Sequence, residues 1–168
     1  MRRVKLDRID LRILKDLQDN GRITNVDLAR RAGISAPPCL RRVRALEEAG
    51  YIRGYHGELN GEALGFEVTF FALVGLDSQS ESVLSGFERF LNAWPEVRQC
   101  HMARGPNDFV LKIVARNTAH ENELTAKLTS APHVATVQTI QVIRTSKSLP
   151  GVPIEIESRA TREEDDTP

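Results

Sequence analysis

Residues 24–52, TNVDLARRAGISAPPCLRRVRALEEAGYI, have the pattern of two short helices joined by a tight turn. Thr24 supplies a hydroxyl at the start of the first helix, and Asp27 stands three residues later, as in a capping box. Gly33 can adopt the positive φ that ends a helix. A short helix, a glycine turn and a second helix predict a helix-turn-helix, whose second helix enters the major groove of DNA.

Apolar positions predict the buried sides of these two helices. The residues expected to face the core are Val26, Leu28, Ala29 and Ala32 in the first helix and Leu40, Val43 and Leu46, at three-residue steps, in the second.

Three arginines of the second helix, Arg41, Arg42 and Arg44, fall mostly off its apolar stripe. Such a run is often only a solvated helix face, but the turn spacing and the following GYIRGY segment favour DNA. Arg41 and Arg42 are the first candidates for a base or phosphate contact, because arginine to guanine is the commonest specific pairing. The full set of candidate DNA-contacting residues is Thr24, Asn25, Ser35, Ala36, Pro37, Pro38, Arg41, Arg42, Arg44 and Arg53.

Two prolines affect the start of the second helix. A capping Ser35 would accept hydrogen bonds from the amides of Pro37 and Pro38, which have no N–H. Pro38 also disfavours a helical Pro37. We therefore expect regular helix to begin near Pro37 or Pro38, leaving Ser35 free to bond elsewhere, for example to a phosphate.

The flanks complete a DNA-binding domain. An earlier helix from about Asp7 to Asn20, capped by Asp7, carries a stripe of leucines and isoleucines. Residues 51–56, YIRGYH, form a short extended segment that is expected to be the wing, with Arg53 and His56 near the DNA backbone. His56 as a metal ligand is the alternative, but no second histidine or cysteine stands at ligand spacing.

Composition limits the class of protein. The chain has 168 residues and 40% hydrophobic content, enough for one medium domain or two small ones. No apolar run approaches the length of a membrane span, and MRRVKLDRID lacks the apolar region of a signal peptide. The two cysteines form no CxxC pair, so reduced thiols in the cytoplasm and no membrane partner are expected.

Charge is unevenly distributed along the chain. Residues 1–60 hold 13 lysines and arginines against 8 acidic residues, whereas residues 151–168 hold 2 against 6. The basic excess thus coincides with the helix-turn-helix, where phosphates would be met. Residues 151–168 are predicted to be an acidic, flexible tail, with autoinhibition of the basic domain as the alternative reading.

The second half of the chain predicts a βαββαβ domain. Residues 57–65 suit a hinge after a DNA-binding domain over residues 1–56, and residues 66–150 alternate strand, helix, strand and the same again. Strands are expected at 66–76, 97–103, 109–115 and 134–145. Helices are expected at 80–94 and from a capping box formed by Thr118 and Glu121. The predicted fold class is α+β, a winged helix-turn-helix followed by a ferredoxin-like domain.

The first strand is apolar on both sides. Its alternating sets are Phe66, Val68, Phe70, Ala72 and Val74 on one face and Phe71 and Leu73 on the other. Two helices cover only one face of a four-stranded antiparallel sheet, so the second face favours a second copy of the chain. Ordinary tolerance of apolar surface residues is the alternative.

The chain resembles the Lrp/AsnC (leucine-responsive, feast/famine) transcription factors over about residues 5–150. The resemblance is carried by LDRIDLRILKDLQDNGRITNVDLARRAGIS, by PCLRRVRALEEAGYIRGY and by QCHMARGPNDFVLKI. It implies a recognition helix at about residues 37–49 and a second domain that dimerises, builds higher rings and senses small molecules, commonly amino acids.

The resemblance places an effector loop at residues 104–108. Candidate ligand-binding residues are Met102, Arg104, Gly105, Asn107 and Asp108. Asp108 would receive an amino acid's ammonium, and the Gly105 amide with the Arg104 guanidinium would receive its carboxylate. Family members usually have a small hydroxyl residue where Arg104 stands and an aromatic residue where Asn107 stands. A plain hairpin turn is the other interpretation, since Gly, Pro, Asn and Asp are the commonest turn residues.

The sequence therefore predicts a sequence-specific DNA-binding regulator, modulated by a small molecule such as an amino acid. A homodimer, assembling into tetramers or octamers, would bind roughly palindromic sites. No metal and no cofactor other than an amino-acid effector are expected. One rival is a tetrapyrrole-processing enzyme of similar build, although no nucleophile–base pair is visible and Cys100 and His101 point to opposite faces. The other is an assembly module with weak DNA binding.

Overall fold

The computed structural model describes residues 5–156, which fall into two compact units. Of the described residues, 5–58 and 147–156 make up the first unit, and Leu59–Ser146 make up the second. Residues 147–156 thus lie with the first unit, although the sequence pattern assigns residues up to 150 to the second domain. Residues distant in sequence make this contact: the Gln18 side chain donates to the Val152 carbonyl (2.8 Å) and accepts from the Val152 amide (3.0 Å). Most of the predicted acidic tail, residues 157–168, lies outside the described residues.

The first unit contains three helices, as the sequence predicts. They are α1 (Arg8–Asp19), α2 (Asn25–Ala32) and α3 (Ala36–Glu48). Gly33 ends α2 with φ 73°, which confirms the predicted left-handed turn. The core of the unit consists of Ile13, Leu28, Ala29, Cys39 and Leu46.

Two apolar residues expected in this core lie outside it. Val26 is 68% exposed and Leu40 is 40% exposed. A step of three residues turns a helix by about 300°, so residues at such steps drift by about 60° each. Leu40 therefore rotates away from Leu46, whereas Cys39, seven residues before Leu46, lies within about 20° of it. The buried stripe of α3 begins at Cys39.

The helix starts differ in detail from the predicted caps. The Thr24 hydroxyl accepts from the Asp27 amide (3.1 Å) and donates to the Asp27 carboxylate (2.7 Å), so Asp27 returns to the hydroxyl instead of the backbone. Helix α3 begins at Ala36, one residue earlier than predicted, because prolines are tolerated in a first turn whose amides are unpaired in any case. Ser35 makes no side-chain capping bond, as expected.

The segment after α3 forms no wing strand. Residues 52–60 carry no regular structure, and the β-ladders of the described residues all belong to the second unit. Instead, the segment is held by the Tyr55 hydroxyl, which donates to the Glu47 carboxylate at 2.9 Å.

The second unit is a four-stranded antiparallel sheet with two helices. The elements are β1 (Val68–Leu76), α4 (Glu81–Asn92), β2 (Val97–Met102), β3 (Phe109–Ala115), α5 (Thr118–Thr129) and β4 (Val134–Gln141). Strand order β2-β3-β1-β4 confirms the ferredoxin-like topology. The predicted hinge contains one short 3-10 helix, Glu62–Leu64.

Several element boundaries of this unit differ from the sequence pattern, most clearly the start of α5 and the end of β4. Asn117, not Thr118, caps α5, since its side chain accepts from the His120 amide at 2.9 Å. Asparagine is at least as good a cap as threonine, so the helix begins at Thr118, one residue earlier than the predicted capping box requires. Strand β4 ends at Gln141, four residues before its predicted end.

The two faces of the sheet differ in cover. Phe70, Ala72 and Val74 of β1 are buried with α4 and α5, as their alternation predicts. On the opposite face Phe71 and Leu73 are only partly buried, and Ile140, paired with Phe71, is 51% exposed. This face therefore carries apolar side chains that residues 5–156 leave partly uncovered.

Candidate nucleic-acid interface and effector loop

The outward side of α3 carries two of the three predicted arginines. Arg41 and Arg44 are exposed, and neither has an ion-pair partner within residues 5–156. They are three residues apart, which places them on one side of the helix. Pro37 and Leu40 are exposed near them. The result is a short surface with two cations, an apolar residue and no competing carboxylate pair.

Arg42 does not belong to that surface. Its Nη1 donates to Asp7 Oδ2 at 2.8 Å and to Asp10 Oδ1 at 2.7 Å, at the start of α1. These bonds raise the Arg42 pKa, with Asp10 as the larger cause and Asp7 as the second. The expectation of an unengaged Arg42 on the solvent side is revised, because its side chain is only partly exposed and already pairs with two carboxylates; a DNA contact by Arg42 stays a prediction.

The Asp7 carboxylate feels opposing effects. Burial alone would raise the pKa of Asp7, but the hydrogen bonds from the Asp10 amide and the Arg42 guanidinium lower it below its usual value. Asp7 and Asp10 also form a reciprocal capping box, in which each side chain accepts from the other's amide. The sequence pattern identifies Asp7 as a cap, but it misses the buried Asp10, whose signal is a second acid three residues after the cap.

Some of the remaining candidate DNA-contacting residues are exposed, and others are partly buried within the first unit. Thr24, Ser35 and Arg53 are exposed, while Ala36 and Pro38 are partly buried. The Asn25 side chain donates to the Ala36 carbonyl at 2.9 Å, so it ties the start of α2 to the start of α3. Asn25 thereby supports α3 from within the unit.

Neither a metal centre nor a membrane helix is found in the part of the chain that the structure describes. No group of three histidine, cysteine or acidic side chains between residues 5 and 156 is arranged to hold a metal ion. Over the same residues, no helix combines the length and apolarity needed to cross a bilayer.

The predicted effector loop joins β2 to β3 and is fastened through Asp108. Its Oδ2 accepts from the Leu76 amide at 2.7 Å, and its Oδ1 accepts from the Gln79 side chain at 3.0 Å. The Asp108 amide donates to the Val74 carbonyl at 2.9 Å. Both carboxylate oxygens are thus occupied by donors of the fold, so the expectation of a carboxylate free for a ligand's ammonium is revised.

The other loop candidates remain open to solvent. Met102, Arg104 and Gly105 are exposed, and Asn107 is partly buried. Within the described residues Arg104 has no ion-pair partner, so its guanidinium can donate hydrogen bonds to a carboxylate from outside the chain.

Comparison with known proteins assigns both units. Residues 6–53 match the family model for a winged helix-turn-helix DNA-binding domain, and residues 69–152 match the model for the Lrp/AsnC ligand binding domain. The leucine-responsive regulatory protein of Rhizobium meliloti (strain 1021) is 52% identical over 146 residues, which cover 86% of this chain and 94% of that protein. The chain belongs to the Lrp/AsnC family of transcriptional regulators.

Further members of the family show the same extent of similarity. The Bkd operon transcriptional regulator of Pseudomonas aeruginosa is 41% identical over 135 residues, covering 80% of this chain and 88% of the relative. Among solved structures, a transcriptional regulator of Neisseria meningitidis in complex with L-methionine has a TM-score of 0.84 at 31% identity. It matches 89% of this chain and 97% of its own. The fold, the DNA-binding unit and the regulatory function are therefore those of the family.

Proposed function

We propose that this regulator reads its operators with the outward side of α3, through Arg41 and Arg44. The observation that carries the proposal is that these two guanidinium groups lie together on an exposed helix side, without an ion-pair partner in residues 5–156, while Arg42 is turned inward. Ser35 and Arg53, which are both exposed, would add contacts to the DNA phosphates. A helix of this kind contacts base edges with its N-terminal half and phosphates with its flanks.

The proposed form is a homodimer joined through the uncovered sheet face, with larger assemblies built from dimers. Phe71, Leu73 and Ile140 supply its apolar centre. A two-fold dimer would place two copies of α3 about one turn of DNA apart, so roughly palindromic sites are expected. Because the relatives are named transcriptional regulators, we propose a non-enzymatic protein that acts in the cytoplasm, where its DNA partner lies.

The proposed effector is a small amino acid with an apolar side chain. Two similar solved structures, from Neisseria meningitidis and from M. tuberculosis, hold L-methionine. In this chain Arg104 and the Gly105 amide are the groups offered to the ligand's carboxylate. Asp108 would shape the loop, and no other cofactor is proposed.

DNA binding is tested by fluorescence anisotropy on the region upstream of the protein's own gene. Arg41→Ala and Arg44→Ala should each weaken specific binding about 5- to 150-fold, because one good arginine–base pair is worth about 1–3 kcal/mol. Arg89→Ala, an exposed arginine of the second unit, removes the same charge and should leave the affinity unchanged. Equal affinities for all four proteins would refute the proposed reading surface, and a tetrapyrrole-coloured preparation without DNA affinity would favour an enzyme.

Effector binding is tested by thermal unfolding in the presence of single amino acids, followed through Trp94, the only tryptophan. A ligand that binds the native protein raises the melting temperature. The Arg104→Ala variant should lose most of that rise, whereas Arg89→Ala should keep it. If none of the common amino acids shifts the transition of the native protein, an amino-acid effector is ruled out for this chain.

A further inference from the structure

Three charged side chains form a closed cluster between α1 and α3. In this cluster Asp7 Oδ1 accepts from the Asp10 amide (2.8 Å) and Asp10 Oδ2 accepts from the Asp7 amide (3.1 Å). The other two oxygens, Asp7 Oδ2 and Asp10 Oδ1, both accept from Arg42. All four carboxylate oxygens therefore have a donor, and one guanidinium links the start of α1 to the middle of α3.

One member of the cluster, Asp10, is buried, whereas the side chains of Asp7 and Arg42 are partly exposed. Asp10 is only 8% exposed, and a carboxylate in such a place needs a cation and hydrogen bonds. Arg42 supplies both, from a position 32 residues away along the chain. Both bonds come from Nη1, so the two protons of that nitrogen are committed to the carboxylates at the start of α1.

The direction of Arg42 sets the direction of its neighbours. Residues of an α-helix follow each other at about 100°, so Arg44 lies about 200° around α3 from Arg42. Together with the buried Cys39 and Leu46, the bonds from Arg42 to the start of α1 restrain the rotation of α3 about its own axis, with Arg44 on the outward side. The bond from Asn25 to the Ala36 carbonyl restrains the start of the same helix from the other side.

We propose that Arg42, with Asp7 and Asp10, is a positioning residue for DNA reading, which sets the rotation of α3 and so the placement of Arg41 and Arg44 in the groove. The proposal rests on the proposed reading surface of α3. It predicts a change in specific DNA affinity opposite to the change expected from net charge alone. Removing an acid from a DNA-binding unit should strengthen binding through long-range attraction, whereas loss of Asp10 should weaken specific binding because α3 is no longer held in place.

The test compares Asp10→Asn with Asp19→Asn, an exposed acid at the end of the same helix whose removal changes the net charge equally. Specific and random DNA duplexes of equal length are titrated at several salt concentrations. Asp10→Asn should bind the specific duplex about tenfold more weakly and the random duplex as well as the native protein. Asp19→Asn should bind both duplexes equally well or better. If Asp10→Asn binds specific DNA as tightly as Asp19→Asn, the positioning role is refuted.

The salt dependence separates positioning from direct contact. Loss of one phosphate contact makes the negative slope of log K against log salt shallower by about 0.9. Arg42→Ala should therefore weaken specific binding with an unchanged slope on random DNA. Arg42→Ala with the slope reduced by about 0.9, together with a neutral Asp10→Asn, would identify Arg42 as a phosphate contact and overturn the proposal.

Two further variants guard against unfolding and against failure of the reading surface. Arg42→Lys retains the charge but reaches fewer oxygens, so it should give an intermediate loss of specific affinity while the first unit melts cooperatively. Its melting is followed through Tyr51 and Tyr55, the only two tyrosines. If Arg42→Lys and Asp10→Asn keep native specificity while Arg41→Ala loses specific affinity, the positioning role is rejected and the reading surface stands. No loss in Arg41→Ala and Arg44→Ala would reject the reading surface itself.

Discussion

At the scale of single residues, two charges that the sequence pattern offers to ligands serve the fold instead. Arg42 binds carboxylates 32 and 35 residues away, and Asp108 binds an amide 32 residues away. Helical or strand periodicity tells which side of an element is buried, but not which distant group will meet a polar side chain there. The cation of Arg41 and that of Arg42 look alike in sequence, and only the packing of α1 against α3 distinguishes them.

The cluster around Arg42 should give the first unit an acid-sensitive stability. The pKa of Asp7 is lowered in the folded protein, so its contribution to stability is present above about pH 4 and is lost as the pH falls through the folded value. Melting of the first unit, followed by tyrosine fluorescence, should therefore fall more steeply between pH 5 and 3 in the native protein than in Asp7→Asn. Parallel curves for the two proteins would show that Asp7 contributes no such dependence.

Removal of the Asp108 carboxylate should lower the stability of the second unit, independently of any ligand. Asp108→Ala leaves the Leu76 amide without its acceptor, which costs about 1–3 kcal/mol when a partly buried donor loses its partner. Asp108→Asn keeps an acceptor oxygen and should cost less. Urea unfolding followed through Trp94 reports the second unit, and Asn107→Ala serves as the neighbouring control. An unfolding midpoint for Asp108→Ala equal to that of Asn107→Ala would contradict the fastening role.

At the scale of elements, the sequence pattern predicts each α-helix and strand of residues 5–156 but not the 3-10 helix Glu62–Leu64, and the differences at the element ends have local causes. The cap of α5 moved by one residue because Asn117 competes with Thr118. The wing was predicted as extended, but residues 52–60 pair with no strand. Leu40 was placed in the core because three-residue steps resemble a helical stripe over one turn and diverge from it over two.

The corrected stripe of α3 leads to opposite expectations for two leucines. Leu46 is 3% exposed, so Leu46→Ala should destabilise the first unit by about 2–5 kcal/mol. Leu40 lies beside Arg41 on the outward side, so Leu40→Ala should cost less than about 1 kcal/mol and should reduce DNA affinity instead. Tyrosine-detected unfolding and anisotropy on the same preparations separate the two effects. If Leu40→Ala is as unstable as Leu46→Ala, Leu40 contributes to the core as the sequence pattern predicts.

At the scale of the whole molecule, the order of elements was predictable because turn residues and periodicity are local properties. The return of residues 147–156 to the first unit was not, since it depends on Gln18 meeting the backbone of Val152, 134 residues away. The uncovered sheet face was predictable only in part. Its apolar residues are visible in the sequence, but the register that brings Phe71 opposite Ile140 is not.

That face yields the most demanding prediction for the assembly. Phe71→Asp places a carboxylate at the centre of the proposed dimer contact, where two copies would bring like charges together without water. We expect a monomer by light scattering, with the Trp94 emission of a folded second unit. Ala119→Asp adds the same charge on the exposed side of α5 and should retain the native mass.

The monomer should also bind DNA differently from the dimer. A palindromic probe gains affinity over a single half-site only when one protein carries two linked copies of α3, because the second contact is then intramolecular. Phe71→Asp should therefore bind both probes alike, with about half the native salt slope on the palindrome, since half as many phosphates are met. Ala119→Asp should keep the preference for the palindrome. If Phe71→Asp retains the native mass and the native preference, the copies associate through some other surface.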